Sequence, residues 1–227
     1  MVRLTLFEVL FGVLWFGMMF TGLFCFAVGL RSEVVELREQ VSVADVFTPP
    51  VAGGWKPDSY QFGQDCSYPM ENGTLKRWGL HLGEDMNLKT GTEVLAIGNG
   101  KVMVAQVYPG SSKDKRNWGG VVILAHKLAN GNVIYSLSGH LKVRKDLKKG
   151  DRVKRGDVLG HIAPALTAEN GWWEDEHLHL QIIVDQTDVY RGGVLRGYAH
   201  EKAPNRLADC IAPSALFELL GPGRGKT

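Results

Sequence analysis

The chain has 227 residues, of which 44% are hydrophobic and 22% are charged, and its formal net charge at pH 7 is +2. This is the composition of an ordinary globular chain, and the length predicts one domain with an appendage. The net charge is too small to indicate a nucleic-acid partner, and the sequence contains no zinc finger, helix-turn-helix or aromatic RNA-binding strand.

The first predicted element is an apolar segment at the N-terminus. No residue between Val9 and Leu30 is charged, and this run is long enough to span a bilayer as a helix. A cleaved signal peptide is the alternative, but its apolar region is usually shorter and no Ala-x-Ala cleavage site follows. We therefore predict an uncleaved transmembrane anchor over residues 1–31, although the flanking charges do not decide its orientation.

Residues 32–60 are predicted to connect this anchor to the domain. The part from 48 to 54 is rich in proline and glycine, which indicates a linker. Before it, four apolar residues recur near one helical face and favour a short juxtamembrane helix. These four are Val34, Val35, Leu37 and Val41.

From residue 61 to the C-terminus, short β-branched runs alternate with glycine-containing turns, which is typical of strands. Six such strands and the absence of a long helical pattern predict an all-β domain over 61–227, built as a barrel-like β-sandwich. One closing helix is predicted over 212–220, with Pro213 near its first turn. The strands are predicted over 92–97, 101–108, 121–126, 132–137, 153–162 and 178–184.

A basic segment lies between two of these strands. Residues 142–155 carry eight basic residues against Asp146 and Asp151. We interpret the segment as a solvated hairpin whose lysines guard a sheet edge. The alternative is a contact with an anionic polymer or a membrane surface.

The last predicted strand carries two imidazoles one residue apart. Residues i and i+2 of a strand share a face, so His177, His179 and Gln181 would point one way while their apolar neighbours point into the core. The two histidine Cα atoms would lie roughly 6.6 Å apart, close enough for one imidazole to bind a metal while the other works beside it. A polar strand face with two solvated histidines is the alternative interpretation.

A second cluster places His81 four residues before Asp85. On a strand these residues would lie about 13 Å apart, and Gly79 and Gly83 argue against a helix. A tight loop that turns at Gly83 would instead bring the imidazole and the carboxylate together. With one histidine of the pair they would make three ligands, the number that catalytic zinc takes, and no cysteine lies near either cluster.

Four motifs in this order resemble the lysostaphin-type zinc metalloendopeptidases, which cut peptide bonds in bacterial cell walls. The resemblance covers about residues 76–184, and every site position of that family is filled. The motifs are Gly79-x-His81-x-Gly83-x-Asp85, Tyr135 followed by His140-Leu141, Gly150-Asp151-x-Val153-x-x-Gly156-x-x-x-Gly160, and His177-x-His179.

By this resemblance, His81, Asp85 and His179 are the zinc ligands, and His140 and His177 are the catalytic histidines. It implies a zinc endopeptidase that hydrolyses peptide cross-links of peptidoglycan. It also implies a single-pass protein of the inner or cytoplasmic membrane, with its domain on the outer side and a regulatory protein as a further partner.

Two segments depart from the family pattern. The spacer between Tyr135 and His140 is longer than usual, and residues 167–176 replace a small turn rich in glycine, serine and threonine. The second departure bears on substrate preference. Trp172 and Trp173 within that segment, together with Trp118, are candidates either for the core or for a cleft wall.

Two other functions are compatible with parts of this pattern. A metal-less binding or regulatory module of the same fold should have lost at least one ligand, whereas this chain has kept all of them. A sugar-phosphotransfer domain also uses paired histidines, but it does not need Asp85 and would act in the cytoplasm. His126, His161 and His200 lack partners at useful spacing, and we predict that they are structural or exposed.

The cysteines predict one covalent link. Cys66 and Cys210 lie outside the apolar segment and flank the predicted strands. In an oxidising exterior we expect them to form a disulfide.

Overall fold

The computed structural model describes residues 43–70, 72–184, 196–199 and 204–222. The described chain is mostly β, which confirms the predicted all-β class. A 3-10 helix covers Pro204–Leu207, and one α-helix, α1, covers Pro213–Leu220 as predicted. The strands are β1 (Asp65–Pro69), β2 (Leu75–His81), β3 (Glu84–Asn87), β4 (Glu93–Leu95), β5 (Gly100–Tyr108), β6 (Gly119–Lys127), β7 (Val133–Gly139), β8 (Leu141–Val143), β9 (Arg152–Val153), β10 (Val158–Ile162), β11 (His177–Ile183), β12 (Tyr198–Ala199) and β13 (Cys210–Ile211).

These strands pair into three sheets. The largest has the order β13-β11-β7-β6-β5-β9, and β3 also pairs with β11. Two smaller sheets have the orders β1-β2-β12 and β4-β10-β8. The described sheets are open, whereas the sequence predicts a barrel-like sandwich. The predicted strand 153–162 is in fact two strands, because the chain turns at Gly156, whose φ is +87°.

The core lies on both faces of β6. Val122 and Leu124 point into one apolar cluster, while Val121 and Ile123 point into another on the opposite face. A strand buried on both faces has no polar alternation, which explains why this run is almost continuously apolar.

Residues 43–60 are part of this packing, although the sequence assigns 48–54 to a linker. Phe47 is fully buried, clusters with Leu216 of α1, and its backbone nitrogen donates to the Leu220 oxygen at 2.9 Å. Val51 lies in the main core. Isolated apolar residues of this kind have no period of 2 or 3.6, so the sequence pattern does not reveal their burial.

The predicted anchor, residues 1–31, lies outside the described residues, as does the predicted juxtamembrane helix. Among the residues that the structure describes, no helix is long and apolar enough to cross a membrane.

The predicted disulfide is not formed, because Cys66 and Cys210 are both free and buried. Cys66 lies in the sheet of β1, whereas Cys210 lies on β13 of the largest sheet. Burial raises the pKa of Cys66 to about 12 and that of Cys210 to about 11, so neither thiol is a reactive nucleophile at neutral pH.

The basic segment forms exposed turns at the ends of two sheets, β8 and β9 being terminal in their strand orders. Its side chains from Lys148, Lys149, Lys154 and Arg155 are exposed. Asp151 accepts a bond from the Lys148 backbone nitrogen at 2.8 Å and is therefore used in shaping a turn. The segment is solvated and lies at sheet edges, as predicted, but it is not a hairpin, because β8 pairs with β10 and β9 pairs with β5. Contact with an anionic partner stays a prediction.

Candidate metal centre and active site

The site is organised by the pairing of β11 with two neighbours. His179 on β11 lies opposite Asp85 on β3 and opposite Gly139 on β7. His140 directly follows Gly139, so three elements distant in sequence present candidate residues at the same level of the sheet.

His81 joins this level through a two-residue turn between β2 and β3, as the sequence predicts. Gly83 occupies that turn, and a Cβ added there would lie 2.3 Å from the Leu180 carbonyl oxygen and 2.8 Å from His179 Nε2. The φ of Gly83 is not positive, so glycine is required here for close approach and not for an unusual backbone conformation.

His81, Asp85 and His179 form a compact cluster of ligand atoms. His179 Nδ1 lies 2.8 Å from Asp85 Oδ1 and 3.0 Å from His81 Nε2, and His81 Nε2 lies 3.4 Å from Asp85 Oδ1. Ligands of a tetrahedral zinc ion, each about 2.1 Å from the metal, would lie roughly 3.4 Å from one another. These three residues can therefore hold a metal ion with little adjustment.

Gln181 defines which nitrogen of His179 faces the cluster. The His179 Nε2 atom lies 3.4 Å from the Gln181 amide oxygen, which accepts a hydrogen bond when Nε2 carries the proton. Nδ1, which lies 2.8 Å from Asp85 Oδ1, is then the nitrogen that a metal ion in this cluster would bind.

The charge of Asp85 leads to the same conclusion. The carboxyl group is 3% exposed, and within the described residues its ion-pair partners are histidines alone. Burial raises its pKa, but the neighbouring His179 and His81 outweigh this effect and hold the pKa well below the usual range. A buried carboxylate without lysine or arginine requires another source of positive charge.

His140 and His177 lie beside this cluster, with their ring centroids 4.4 Å apart. His177 Nε2 is 4.0 Å from Asp85 Oδ2, further than the cluster distances of His179. His140 has φ +66°, the left-handed conformation in which the chain turns from β7 into β8 and the ring enters the site despite the longer spacer. Burial, then the nearby His177 and His179, lowers the pKa of His140 well below its ordinary value.

Backbone carbonyls hold the other nitrogen of these two rings. His140 Nδ1 lies 3.0 Å from the Asn170 oxygen, and His177 Nδ1 lies 3.2 Å from the Asp175 oxygen. Because carbonyl oxygens only accept, Nδ1 is the donor in both rings and Nε2 is left for chemistry.

The five histidine and aspartate residues that the sequence singles out therefore meet at one place, and His126 lies elsewhere. His126 is a structural residue, bonded to the Asn99 oxygen at 2.9 Å and to Ser136 Oγ at 2.8 Å. His200 lies outside the described residues.

Aromatic side chains form much of the cleft around the site. Trp173 lines the cleft, which is one of the two locations predicted for the tryptophan pair, whereas Trp172 is not a lining residue. Trp118, for which the sequence left the core and the cleft wall open, also lines it. The lining residues that sequence reasoning did not place are Trp78, Arg116, Asn117, Gly197 and Tyr198.

Trp78 shows why such residues are hard to predict. Cys66 pairs with Gly79 and Ser67 pairs with Arg77, so Trp78 is left over as the extra residue of a β-bulge. A bulge re-aims a side chain, and here it directs Trp78 into the cleft. Gly79, whose φ is +110°, is the one local feature that indicates this bulge.

Comparison with known proteins identifies a family for the segment that contains this site. The model of peptidase family M23 matches residues 79–190. No curated protein matches the sequence.

Several solved structures resemble the chain. The catalytic domain of the antimicrobial peptidase lysostaphin from Staphylococcus simulans is 22% identical, with 72% of this chain and 92% of that chain covered and a TM-score of 0.44. A zinc-containing peptidase from Vibrio cholerae is 22% identical, with 70% and 41% covered and a TM-score of 0.46. A prophage-encoded M23 protein from Enterococcus faecalis is 23% identical, with 62% and 88% covered and a TM-score of 0.42.

The matched segment contains the complete cluster of ligand atoms and both neighbouring histidines, in the order that the sequence motifs predict. Residues 79–190, the segment that carries the candidate site, are therefore similar to peptidase family M23.

Proposed function

We propose that this chain is a zinc-dependent endopeptidase that hydrolyses peptide cross-links of bacterial peptidoglycan. The observation that carries the proposal is the convergence of the His81, Asp85 and His179 ligand atoms beside two further histidines whose Nε2 atoms are free of backbone bonds. The match of residues 79–190 to the model of peptidase family M23 supports the reaction class.

The residues fit a zinc ion, because two imidazole nitrogens and one carboxylate oxygen are three ligands of the kind that catalytic zinc takes. His81, Asp85 and His179 would hold it. When bound, zinc polarises a carbonyl group and lowers the pKa of water to about 7.

His177 and His140 supply the proton transfers. Each neutral ring presents the Nε2 lone pair, which can take a proton from the attacking water. The protonated ring can then donate a hydrogen bond to the carbonyl oxygen as negative charge develops, or give its proton to the departing amine. The aromatic walls limit the access of bulk water and hold the peptide against these groups.

The test compares two histidines on one strand. His179→Ala should lose zinc and activity together, because it removes a ligand. His177→Ala should keep near-stoichiometric zinc while its rate falls by roughly 10² to 10⁴. Zinc content is measured on the purified full chain, and activity by identifying the fragments released from purified cell wall.

Each other outcome has a clear meaning. Zinc loss in His177→Ala together with zinc retention in His179→Ala would reverse the two assignments. Undiminished wall cleavage by both variants would refute the proposed enzyme. A native protein that binds zinc but cleaves no wall peptide would favour a catalytically silent module.

We also propose that the protein is held in the inner or cytoplasmic membrane by residues 1–31, with the peptidase domain on the outer side. The uncharged run from Val9 to Leu30 and the location of peptidoglycan support this arrangement. The protein should then stay with membranes through alkaline washing while its C-terminus is open to added protease. Recovery of a soluble mature protein that begins near Arg31 would contradict it.

A further inference from the structure

Asn170 is a fully buried polar residue in the loop formed by residues 166–175, which precedes β11. Its relative exposure is 0%. Burying an amide is costly unless its groups are hydrogen-bonded. Among the described residues the Oδ1 atom of Asn170 has no partner, whereas its Nδ2 and its backbone carbonyl make bonds that lead to both histidines beside the cluster.

The backbone carbonyl of Asn170 acts on His140. It accepts the hydrogen bond from His140 Nδ1 at 3.0 Å. This bond keeps the proton on Nδ1 and turns Nε2 away from the loop and toward the cleft that His140 lines.

The side chain of Asn170 acts on His177 through one intermediate group. Its Nδ2 donates to the Asp175 carbonyl oxygen at 3.2 Å, and the same oxygen accepts from His177 Nδ1 at 3.2 Å. The amide therefore holds in place the carbonyl that orients the second ring.

The loop is well placed to act as a rigid support. Thr167 Oγ1 accepts the bond from the Asn170 backbone nitrogen at 3.2 Å, and the Gly120 nitrogen at the start of β6 donates to the Glu169 oxygen at 2.7 Å. The residue next to Asn170 thus bonds the loop to the largest sheet.

We propose that Asn170 is a positioning residue that holds both histidines, His140 and His177, with Nδ1 protonated and Nε2 directed into the cleft. This inference rests on the proposed function, in which these two rings transfer protons. The segment that replaces the family's small turn then has a role in the reaction, because its Asn170 positions both histidines that transfer protons.

The main experiment uses Asn170→Ala in the full chain loaded with zinc. This change removes the side-chain bond to the Asp175 oxygen and keeps the backbone bond to His140. We expect kcat to fall about 10- to 100-fold, the effect that loss of an outer hydrogen-bond partner typically has, with KM and zinc content unchanged. Asn170→Asp, which has the same shape but lacks the amide donor when ionised, should show the same loss of kcat.

A spectroscopic measurement separates positioning from a merely structural role. In ¹⁵N-histidine spectra of the zinc-loaded protein, taken at one pH where the rings are neutral, the native His140 and His177 should both show Nδ1–H. In Asn170→Ala the His177 signal should shift toward a mixture of tautomers. Ser136→Ala is the matched control, since Ser136 is 3% exposed, bonds His126 and lies outside the cleft, so its kcat and these signals should not change.

The outcomes distinguish this inference from the function on which it rests. A native enzyme with activity and zinc, beside Asn170 variants of equal kcat, would overturn the role of Asn170 alone. The proposed role of Asn170 would also be overturned if both variants lose zinc or unfold, because Asn170 would then be a scaffold residue. A native protein that cleaves no wall peptide would instead overturn the proposed function.

Discussion

Acid should destabilise this protein through His126, a residue remote from the cleft. The ring is 0% exposed, and its two nitrogens are bonded to the Asn99 oxygen and to Ser136 Oγ. Burial is the main cause that lowers the pKa of His126 to about 4, and the bond to Asn99 opposes this only in part.

The sign and size of the effect follow from the two pKa values. In the unfolded chain His126 takes up a proton below about pH 6.5, whereas in the folded protein it does so only near pH 4. The stability that neutral His126 contributes is therefore fully present above pH 6.5 and is lost as the pH falls from 6.5 to about 4. At about 1.4 kcal/mol per pH unit, this loss amounts to roughly 3 kcal/mol.

The assay is the free energy of unfolding from urea titrations at pH 7 and pH 4, compared between the native protein and His126→Gln. The variant cannot take up this proton, so its stability should fall by about 3 kcal/mol less over that interval. Other buried groups also titrate in this range, but they are common to both proteins and cancel in the difference. Parallel pH curves for the two proteins would refute the reasoning.

Two further substitutions test the packing behind the site. Gly83→Ala forces a Cβ against the Leu180 oxygen, so the unfolding free energy should fall by about 1–3 kcal/mol and zinc content should fall too; an unchanged urea midpoint with full zinc would contradict this. Glu84→Ala removes a buried carboxylate that accepts bonds from Trp55 Nε1 and from Ser214, and calorimetry should show a loss of about 1.5–3 kcal/mol. Its control is Asp65→Ala in an exposed ion pair, which should change stability by less than about 1 kcal/mol.

Local pattern was sufficient for the class of fold and for the residues of the site. β-Branched runs and glycine turns predict the central strands, because side-chain alternation and turn conformation depend on near neighbours in the chain. Six strands were not predicted: β2 and β3, which carry His81 and Asp85, and the short edge strands β1, β8, β12 and β13. Their residues satisfy no local period and become strands only because a partner strand accepts their backbone bonds.

The identity of the metal-ligating histidine shows where sequence reasoning stops. Strand alternation puts His177 and His179 on the same face, and by itself it allows either ring to reach a metal. The register that sets His179 opposite Asp85 brings its Nδ1 to 2.8 Å from the carboxylate, whereas His177 Nε2 stays 4.0 Å away. That register joins segments more than ninety residues apart, so it has no local signal.

The roles of the residues that support the site depend still more on tertiary structure. Motif spacing in the sequence was enough to select the histidines and the aspartate, because their chemistry is rare and their order is specific. Asn170 and Trp78 carry no such signature: one acts through backbone carbonyls and the other through a bulge. Hydrogen-bond direction and side-chain aim arise only when distant segments meet, and they decide which nitrogen of each ring is available for chemistry.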